Sequence, residues 1–306
     1  MIETDLPPHM SEGDVEALLA ARHAAPFEVL GRHTGLGKVW IVALVPDATE
    51  VRAVVDGLPI PLPQLEGPLF GGEVPDHSEP HRLHAVFTDG TRLEFDDPYR
   101  FDPVLGDLDK HLIGEGTHRQ LWKALGAHVM THDNVAGTHF AVWAPNAKRV
   151  SVVGDFNIWD GRRHPMRRVG HSGLWELFLP GIGDGTLYKY EIAPRFGAPF
   201  SKADPAAFGA QHPPETASVV RDISGYGWDD ADWMDNRAAR NRRDAPVSIY
   251  EVHLGSWRRN PDDGNRPLSY KELAVELVDY AVSMGFTHLE FLPISEFPFD
   301  GSWGYQ

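Results

Sequence analysis

The sequence predicts a mainly β chain: two immunoglobulin-like β-sandwich modules in tandem, followed by the first βαβ unit of a sheet it cannot close by itself. Three observations carry this reading. Short β-rich runs between Gly, Pro and Asp turns fill residues 27–101 and again 138–220. Those two stretches share motifs in the same order. After Pro246 the pattern switches to apolar strand, capped helix, apolar strand. A length of 306 residues fits two or three domains, 42% apolar content suffices for real cores, and 30 Gly with 25 Pro supply many turns.

Residues 11–25 read as a short helix, with Ser11 as N-cap and Ala17, Leu18 and Ala21 on one side. Strands follow at 39–45, 50–55 and 84–87. A second helix is expected over 107–125, where Thr117 and Gln120 have capping-box spacing ahead of Leu121, Trp122 and Leu125. Clearer strands come at 138–143, 149–154, 174–179 and 187–192. WIVALVPDATEVRAVVDG (40–57) aligns with FAVWAPNAKRVSVVGDF (140–156), Pro46 on Pro145 and Val51 on Val150. Further on, FDDPYRFDP (95–103) aligns with SKADPAAFG (201–209). A period of about 100 residues suits one whole domain per copy, not a solenoid. In the charge-rich stretch 221–247, Trp228 and Trp233 are expected to pin the chain to a neighbouring domain. A strand at 248–254 and a helix capped by Ser269 and Glu272 come next. That helix carries Leu273, Leu277, Tyr280 and Met284 on one face, stops at Gly285, and leads to a strand at 287–292. The boundaries read 1–106 for the first module, 107–136 for a helical connector, 137–222 for the second module, 223–247 for a linker and 248–306 for the βαβ unit.

Acidic residues outnumber basic ones 44 to 28, a formal charge of −16. That disfavours nucleic acid or an anionic membrane as partner and suits a neutral ligand. Without cysteine there is no disulfide framework, thiolate site or thiol nucleophile. MIETDLPPHM lacks the apolar core of a signal peptide, and no run approaches the roughly 20 apolar residues of a spanning helix, so a cytoplasmic protein is expected.

Three segments resemble the bacterial 1,4-α-glucan (glycogen) branching enzymes of the α-amylase superfamily. GTHFAVWAPNAKRVSVVGDFNIWDGRRHPM (137–166) with GTLYKYEI (185–192) is similar to the glycogen-binding type of carbohydrate-binding module. SIYEVHLGSWRR (248–259) and THLEFLPISEFPFDGSWGYQ (287–306) are similar to the first two strands of the family's (β/α)8 catalytic barrel. The earlier repeat, with DPYRFDPVLGDLDKHLIGEG (97–116), resembles the extra N-terminal module of many bacterial members. The resemblance implies a retaining transglycosylation. One carboxylate attacks the anomeric carbon of an α-1,4-glucan, a second acts as acid and then base, and a glucan 6-hydroxyl accepts the chain. It places those carboxylates beyond Gln306, so no catalytic residue is assigned, and residues 1–306 alone are expected to be inactive. It implies no cofactor, a monomer, and α-1,4-glucan (glycogen, amylose, maltooligosaccharides) as partner. A non-catalytic glucan-binding protein, a debranching enzyme and a trehalose-releasing hydrolase are the rival readings. The duplicated module and the wording of 248–259 disfavour the last two.

Four substrate-binding candidates follow from the resemblance. Tyr305 in GSWGYQ matches the tyrosine under the sugar at the cleavage point, where an aromatic face covers the C–H face of a pyranose. A rim tyrosine with only packing duties is the plain alternative. Trp159 in GDFNIWDG matches a glucan-stacking tryptophan and Lys189 in LYKYEI a lysine that bonds sugar hydroxyls; Asn157 is expected to help orient the loop. The module's second stacking tryptophan has no match, since the region around Phe196 and Phe200 offers phenylalanines. In many branching enzymes this module packs on the barrel instead. Glu290, Glu296 and Asp300 form an acidic cluster that reads as ordinary strand-end carboxylates, and His253 as a packed, hydrogen-bonded histidine. Arg162, Arg163, Arg167 and Arg168 read as a solvated turn. None of the 16 histidines has a recognised metal spacing, and no Gly-rich phosphate cradle is present. Residues 248–306 are expected to be the least stable part, because their apolar faces lack a barrel to pack into.

Overall fold

A computed structural model describes residues 6–77, 80–295, 297 and 301–305. The chain divides into two compact units, Met1–Gly225 and Tyr226–Gln306, and is mainly β. No helix among the described residues is long and apolar enough to cross a membrane.

The first unit opens with α1, Glu12–Leu19. Ser11 accepts from the Asp14 amide while Asp14 reaches back to the Ser11 amide, the reciprocal cap its spacing allows. The helix is shorter than the sequence suggests because Ala21 turns left-handed, at φ 51°. Eight strands follow: β1 (Gly31–Gly35), β2 (Lys38–Leu44), β3 (Ala48–Val55), β4 (Leu58–Leu62), β5 (Gln64–Glu66), β6 (Leu69–Val74), β7 (Arg82–Phe87) and β8 (Arg92–Asp96). They form two sheets, β1-β2-β6-β5 and β4-β3-β7-β8. Side chains alternate along a strand, so Val39, Ile41 and Ala43 of β2 share one face and meet Val51, Ala53 and Val55 of β3 in one core. The opposite face of β2 is buried as well. Val42 and Leu44 pack with Val15 and Leu18 of α1.

A second helix, α2 (Asp107–Glu115), stops at Gly116, whose φ of 71° is the left-handed stop glycine provides. The expected continuation to 125 is therefore corrected. Leu121–Lys123 is a separate 3-10 turn, and Leu121 and Trp122 are exposed. Then come β9 (Gly126–His132), β10 (Val135–Trp143), β11 (Ala147–Gly154), β12 (Arg167–Val169), β13 (Leu174–Pro180), β14 (Leu187–Pro194), β15 (Phe200–Lys202) and β16 (Ser218–Val219). One sheet is β12-β13-β10-β9. The other is β11-β14-β15, with β16 also on β14. Phe140, Val142, Trp175 and Leu177 of the first meet Val150, Val152, Tyr188 and Tyr190 of the second.

The two halves of this unit repeat one plan. Order β1-β2-β6-β5 matches β9-β10-β13-β12, and β3-β7-β8 matches β11-β14-β15. Register breaks at the same place, between Ala48 and Glu50 and between Ala147 and Arg149. The repeat begins earlier than the aligned sequence motifs. Asp14 holds His23 at 3.1 Å after α1, and Asp109 holds His118 at 3.0 Å after α2. Each is followed by a 3-10 turn and by Leu-Gly-x-His, in which His33 bonds the Leu30 carbonyl and His128 the Leu125 carbonyl. Residues 107–136 are thus not a connector: α2 is the second copy of α1, and β9 pairs along β10.

The second unit contains α3 (Ala231–Arg240), β17 (Ile249–Val252), α4 (Leu254–Trp257), the pair β18 (Arg259–Asn260) and β19 (Arg266–Pro267), α5 (Tyr270–Ser283) and β20 (His288–Phe291). β17 and β20 are parallel, Ile249 opposite His288 and Val252 opposite Phe291. Ser269 and Glu272 cap α5 reciprocally, and Gly285 follows it at φ 80°. Leu273, Leu277 and Ala281, four residues apart, form its buried stripe, while Met284 is exposed. Ile249, Val275, Val282 and Phe291 are exposed too, a large apolar surface for a parallel pair, whose faces are normally covered. Trp228 is 78% and Trp233 48% exposed.

Candidate functional site

β3 and β11 occupy equivalent places but leave the sheet differently. After β3 the chain reverses through Asp56 and Gly57 into β4, with Val55 opposite Leu58. After β11 it makes an excursion over 155–163. It then rejoins β11 at His164–Met166, where the Val152 amide donates to the His164 carbonyl and the Met166 amide to the Val150 carbonyl. Trp159 sits on this excursion.

Three ties shape the loop. Asn157, 3% exposed, accepts the Gly154 amide at 2.9 Å and donates to the Val152 carbonyl at 2.9 Å and to His164 Nδ1 at 2.8 Å. Its amide is used up inside the protein, so Asn157 holds the loop and does not face a sugar. Arg149, 2% exposed, donates to the Gly161 carbonyl at 2.7 Å, to Glu191 at 2.6 Å and to Ser151. A Cβ on Gly161 would overlap the Glu191 carboxylate, so any larger residue there would have to displace Glu191 from Arg149. The third tie fixes the tryptophan itself. Its Nε1 donates to Asp155 Oδ1 at 2.7 Å and its amide to the Gly154 carbonyl at 2.9 Å. With the indole N–H spent and the residue 37% exposed, Trp159 offers a ring face rather than a donor.

Electrostatics follow these contacts. Arg162 grips Asp160 through Nε at 2.9 Å and Nη2 at 2.6 Å, and these bonds hold the Asp160 carboxyl below its usual range. Arg163 pairs with Asp47, and Arg167 donates to the Phe101 carbonyl with its guanidinium 3.9 Å from the Phe27 ring centre. The solvated-turn expectation is therefore corrected for Arg163 and Arg167, while Arg162 and Arg168 are exposed as expected. Part of His164 reaches solvent, but its ring is enclosed beside Phe156, and burial pushes its pKa down to about 4. The neutral ring is the form that accepts from Asn157.

Lys189 lies on β14 opposite Val153, and points away from the core because Tyr188 and Tyr190 on either side are buried. Its ammonium donates to Thr216 at 2.7 Å, one of three available donors. Phe196 is 83% and Phe200 43% exposed. Tyr305 belongs to the second unit and is exposed. The structure thus joins Asn157 and Trp159 in one loop, while Lys189 bonds a separate partner. Sequence reasoning missed Arg149, Asp155 and Glu191. An arginine inside an otherwise apolar strand, RVSVV, is the one signal that pointed there. His253 is half-buried and bonds Ser256 at 2.8 Å, the hydrogen bond expected of it. Glu290 lies exposed on β20, whereas Glu296 and Asp300 lie outside the described residues. Among the described residues no group of three or more His, Asp or Glu could hold a metal ion.

These features define a chain built mainly of paired sheets, one of them carrying a rigidly held, solvent-facing tryptophan loop. Residues 124–207 match carbohydrate-binding module 48 (isoamylase N-terminal domain), and residues 11–99 match the alpha-1,4-glucan branching enzyme GlgB, N-terminal domain. The 1,4-alpha-glucan branching enzyme GlgB of Roseobacter denitrificans is 58% identical over 304 residues, covering 97% of this chain and 42% of that protein. GlgB of Paramagnetospirillum magneticum is 54% identical over 295 residues, covering 96% and 40%. A solved pullulanase type I from Bacillus subtilis aligns with a TM-score of 0.39 at 18% identity, over 85% of this chain and 36% of that one. The chain belongs to the 1,4-α-glucan branching enzyme family. It spans about two fifths of the length of these curated relatives.

Proposed function

We propose that the protein acts in α-1,4-glucan branching, by a retaining transfer of a cleaved chain to a glucan 6-hydroxyl. Residues 1–306 supply glucan recognition and the opening of the catalytic domain, and the reaction's carboxylates lie on later strands. The observation that carries this reading is the pair of family matches, in order, on the two repeats. The repeats are read as immunoglobulin-like sandwiches, and the parallel β17–β20 pair bridged by α5 as the first βαβ unit of a (β/α)8 barrel. The exposed apolar surface of α5 and β20 fits that assignment.

Glucan is the partner, and the Trp159 ring is its platform, with Lys189 as a donor to hydroxyls and Tyr305 as a stacking residue nearer the chemistry. Asn157 serves by shaping the loop. A cytoplasmic monomer fits the cysteine-free, acidic composition. The test is affinity electrophoresis through glycogen: Trp159→Ala should migrate faster than wild type, and equal mobility would remove Trp159 from the site. Residues 1–306 incubated with amylose should add no α-1,6 linkages. New branches would place the chemistry within this segment.

A further inference from the structure

The Trp159 loop is held from two sides, and one of them is the other repeat. Arg163 in the loop pairs with Asp47 in the β2–β3 turn, and the Tyr99 hydroxyl, beyond β8, donates to the Pro165 carbonyl at 3.3 Å. We propose that the first repeat is a positioning element for glucan recognition: Asp47 and Tyr99 hold residues 155–165 of the second repeat in the shape that presents Trp159. This rests on Trp159 being a glucan platform.

The geometry favours a working brace over an incidental contact. Asp47 is fixed before Arg163 reaches it. It sits at φ 67°, where Asp and Asn are the non-glycine residues best tolerated, and its carbonyl accepts the Thr88 amide at 3.0 Å. Arg163 is the more buried partner, with 17% of its side chain exposed against 59% for Asp47. Its other carboxylate neighbour, Asp160, is 3.8 Å away. Tyr99 is 8% exposed, and burial raises its pKa well above the ordinary value, so it remains a donor.

Packing around the loop is uneven. Where Leu18 and Leu44 meet Gly161 and Pro165, a space of only about 10 Å³ remains. Behind Phe156 and Arg163, facing Phe87 and Phe95, lies a cleft of about 250 Å³. The cleft leaves the loop without packing behind Phe156 and Arg163, so the Arg163–Asp47 pair supports it on the side that the Asn157, Arg149 and Asp155 ties do not reach. The first repeat, which ends β3 in a plain reversal, has no such loop of its own to present.

The experiment uses the whole 306-residue chain. Asp47→Asn removes the charge and keeps a residue suited to the left-handed backbone. Amide exchange in 155–163 should speed up about two- to five-fold, the range of an exposed ion pair. Glycogen retardation should weaken by a similar factor. Glycogen is neutral, so salt dependence of wild-type retardation would report the protein's own ion pairs; Asp47→Asn should show less of it. Tyr99→Phe, which deletes one hydroxyl, should also speed exchange in the loop. Wild-type exchange in both variants would overturn the proposal, whatever the glucan result. If exchange rises while Trp159→Ala leaves retardation unchanged, the brace stands and the glucan reading of Trp159 fails.

Discussion

The two repeats share a frame and differ where something must be done with it. Both begin with a helix whose Asp clasps a His, both break register at the same step, and both close with an Asp-Pro turn. In that turn Asp97 accepts the Tyr99 amide at 2.9 Å and Asp204 the Ala206 amide at 2.8 Å. The partners behind them differ. Asp97 bonds His81, while Asp204 takes the hydroxyls of Tyr188 and Tyr190, and burial raises the Asp204 carboxyl. The larger contrasts are Gly71 against Glu176, which lie opposite the equivalent Val42 and Ala141, and the Asp56–Gly57 turn against the 155–163 excursion. The frame can be copied because it depends on alternating apolar strands. The loop and the buried acid instead depend on particular partners, some of them in the first repeat: Asp47 and Tyr99 for the loop, the Val104 and Leu105 amides for Glu176.

The strongest way to break that comparison is at Glu176. One of its oxygens accepts from the half-buried Val104 amide at 3.0 Å and the buried Leu105 amide at 2.9 Å, and lies 3.0 Å from the buried His139 Nε2. Glu176→Ala strands those donors and should cost about 4 kcal/mol in urea unfolding. Glu176→Gln keeps an acceptor there and should cost far less. Burial raises the carboxyl, but the bonds from His139 and Leu105 outweigh it, leaving its pKa below the usual 4.5. Its folded pKa is lowered, so the stabilisation is present above 4.5 and is lost as pH falls through the lowered value. Wild type should therefore lose its advantage over Glu176→Gln in acid. At the equivalent Gly71 a Cβ would lie 2.9 Å from a Leu65 methyl, so a side chain there would require Leu65 to shift.

Glycines at the start of each repeat's first strand test the sameness of the frame. Gly31 at φ 90° would put a Cβ 2.7 Å from the Tyr99 carbonyl oxygen, and Gly126 at φ 107° a Cβ 2.7 Å from that of Ala206. Gly31→Ala and Gly126→Ala should each cost about 3 kcal/mol, combining backbone strain with a contact that backbone atoms cannot easily relieve. Unfolding free energies differing by more than about 1 kcal/mol between the two would show that the joints are not equivalent.

Much of this frame is legible in the sequence because it is local. Ser11 and Ser269 announce their helices through residues three positions away, and Pro46 and Pro145 mark the same turn in each copy. Errors arose where a local pattern competes with an unseen backbone choice. Thr117 and Gln120 have the right spacing for a cap, yet Gly116 had already ended α2 and Leu121 began a short turn. At the site, Trp159 stands out as an aromatic among turn residues. Its supports do not, since Arg149 and Glu191 are 42 residues apart and Asp47 and Arg163 are 116 apart. The Leu-Gly-x-His signal was present at 30–33 and 125–128, but its meaning depends on carbonyls that the letters do not show.

His164 offers a smaller, pH-dependent contrast, since it belongs to the second repeat's loop. Its pKa is lowered to about 4 from 6.5. A lowered folded pKa means that stability is fully present above 6.5 and falls as pH drops toward 4, where the ring must charge. Allowing for partial exposure, roughly 1–2 kcal/mol should be lost over that window, and less in His164→Asn. Exchange in 155–163 should rise with it, because a proton on Nδ1 removes the acceptor of Asn157. Exchange in this loop that stays flat from neutral pH to pH 4, after correction for intrinsic rates, would rule this out.

The smallest expected effect concerns how each repeat leaves its strand. Both use two successive left-handed residues. In the first repeat they are Asp56 and Gly57, at φ 48° and 77°, types that accept this backbone readily. In the second they are Ile158 and Trp159, at φ 52° and 59°. A β-branched residue is poorly suited to that region, and Ile158 is 69% exposed, so little packing offsets the strain. Ile158→Asn should therefore raise stability by up to about 1 kcal/mol, read as a higher urea midpoint at an unchanged slope. Asp56→Ile, the reverse exchange in the first repeat, should lower it by a similar amount. If Ile158→Asn is neutral or destabilising, the isoleucine makes contacts that its exposure does not reveal, and the loop is less strained than its backbone implies. If both variants behave as expected, the second repeat keeps an unfavourable backbone where it holds out the Trp159 ring, and the first repeat, which reverses through Asp56 and Gly57 there, does not.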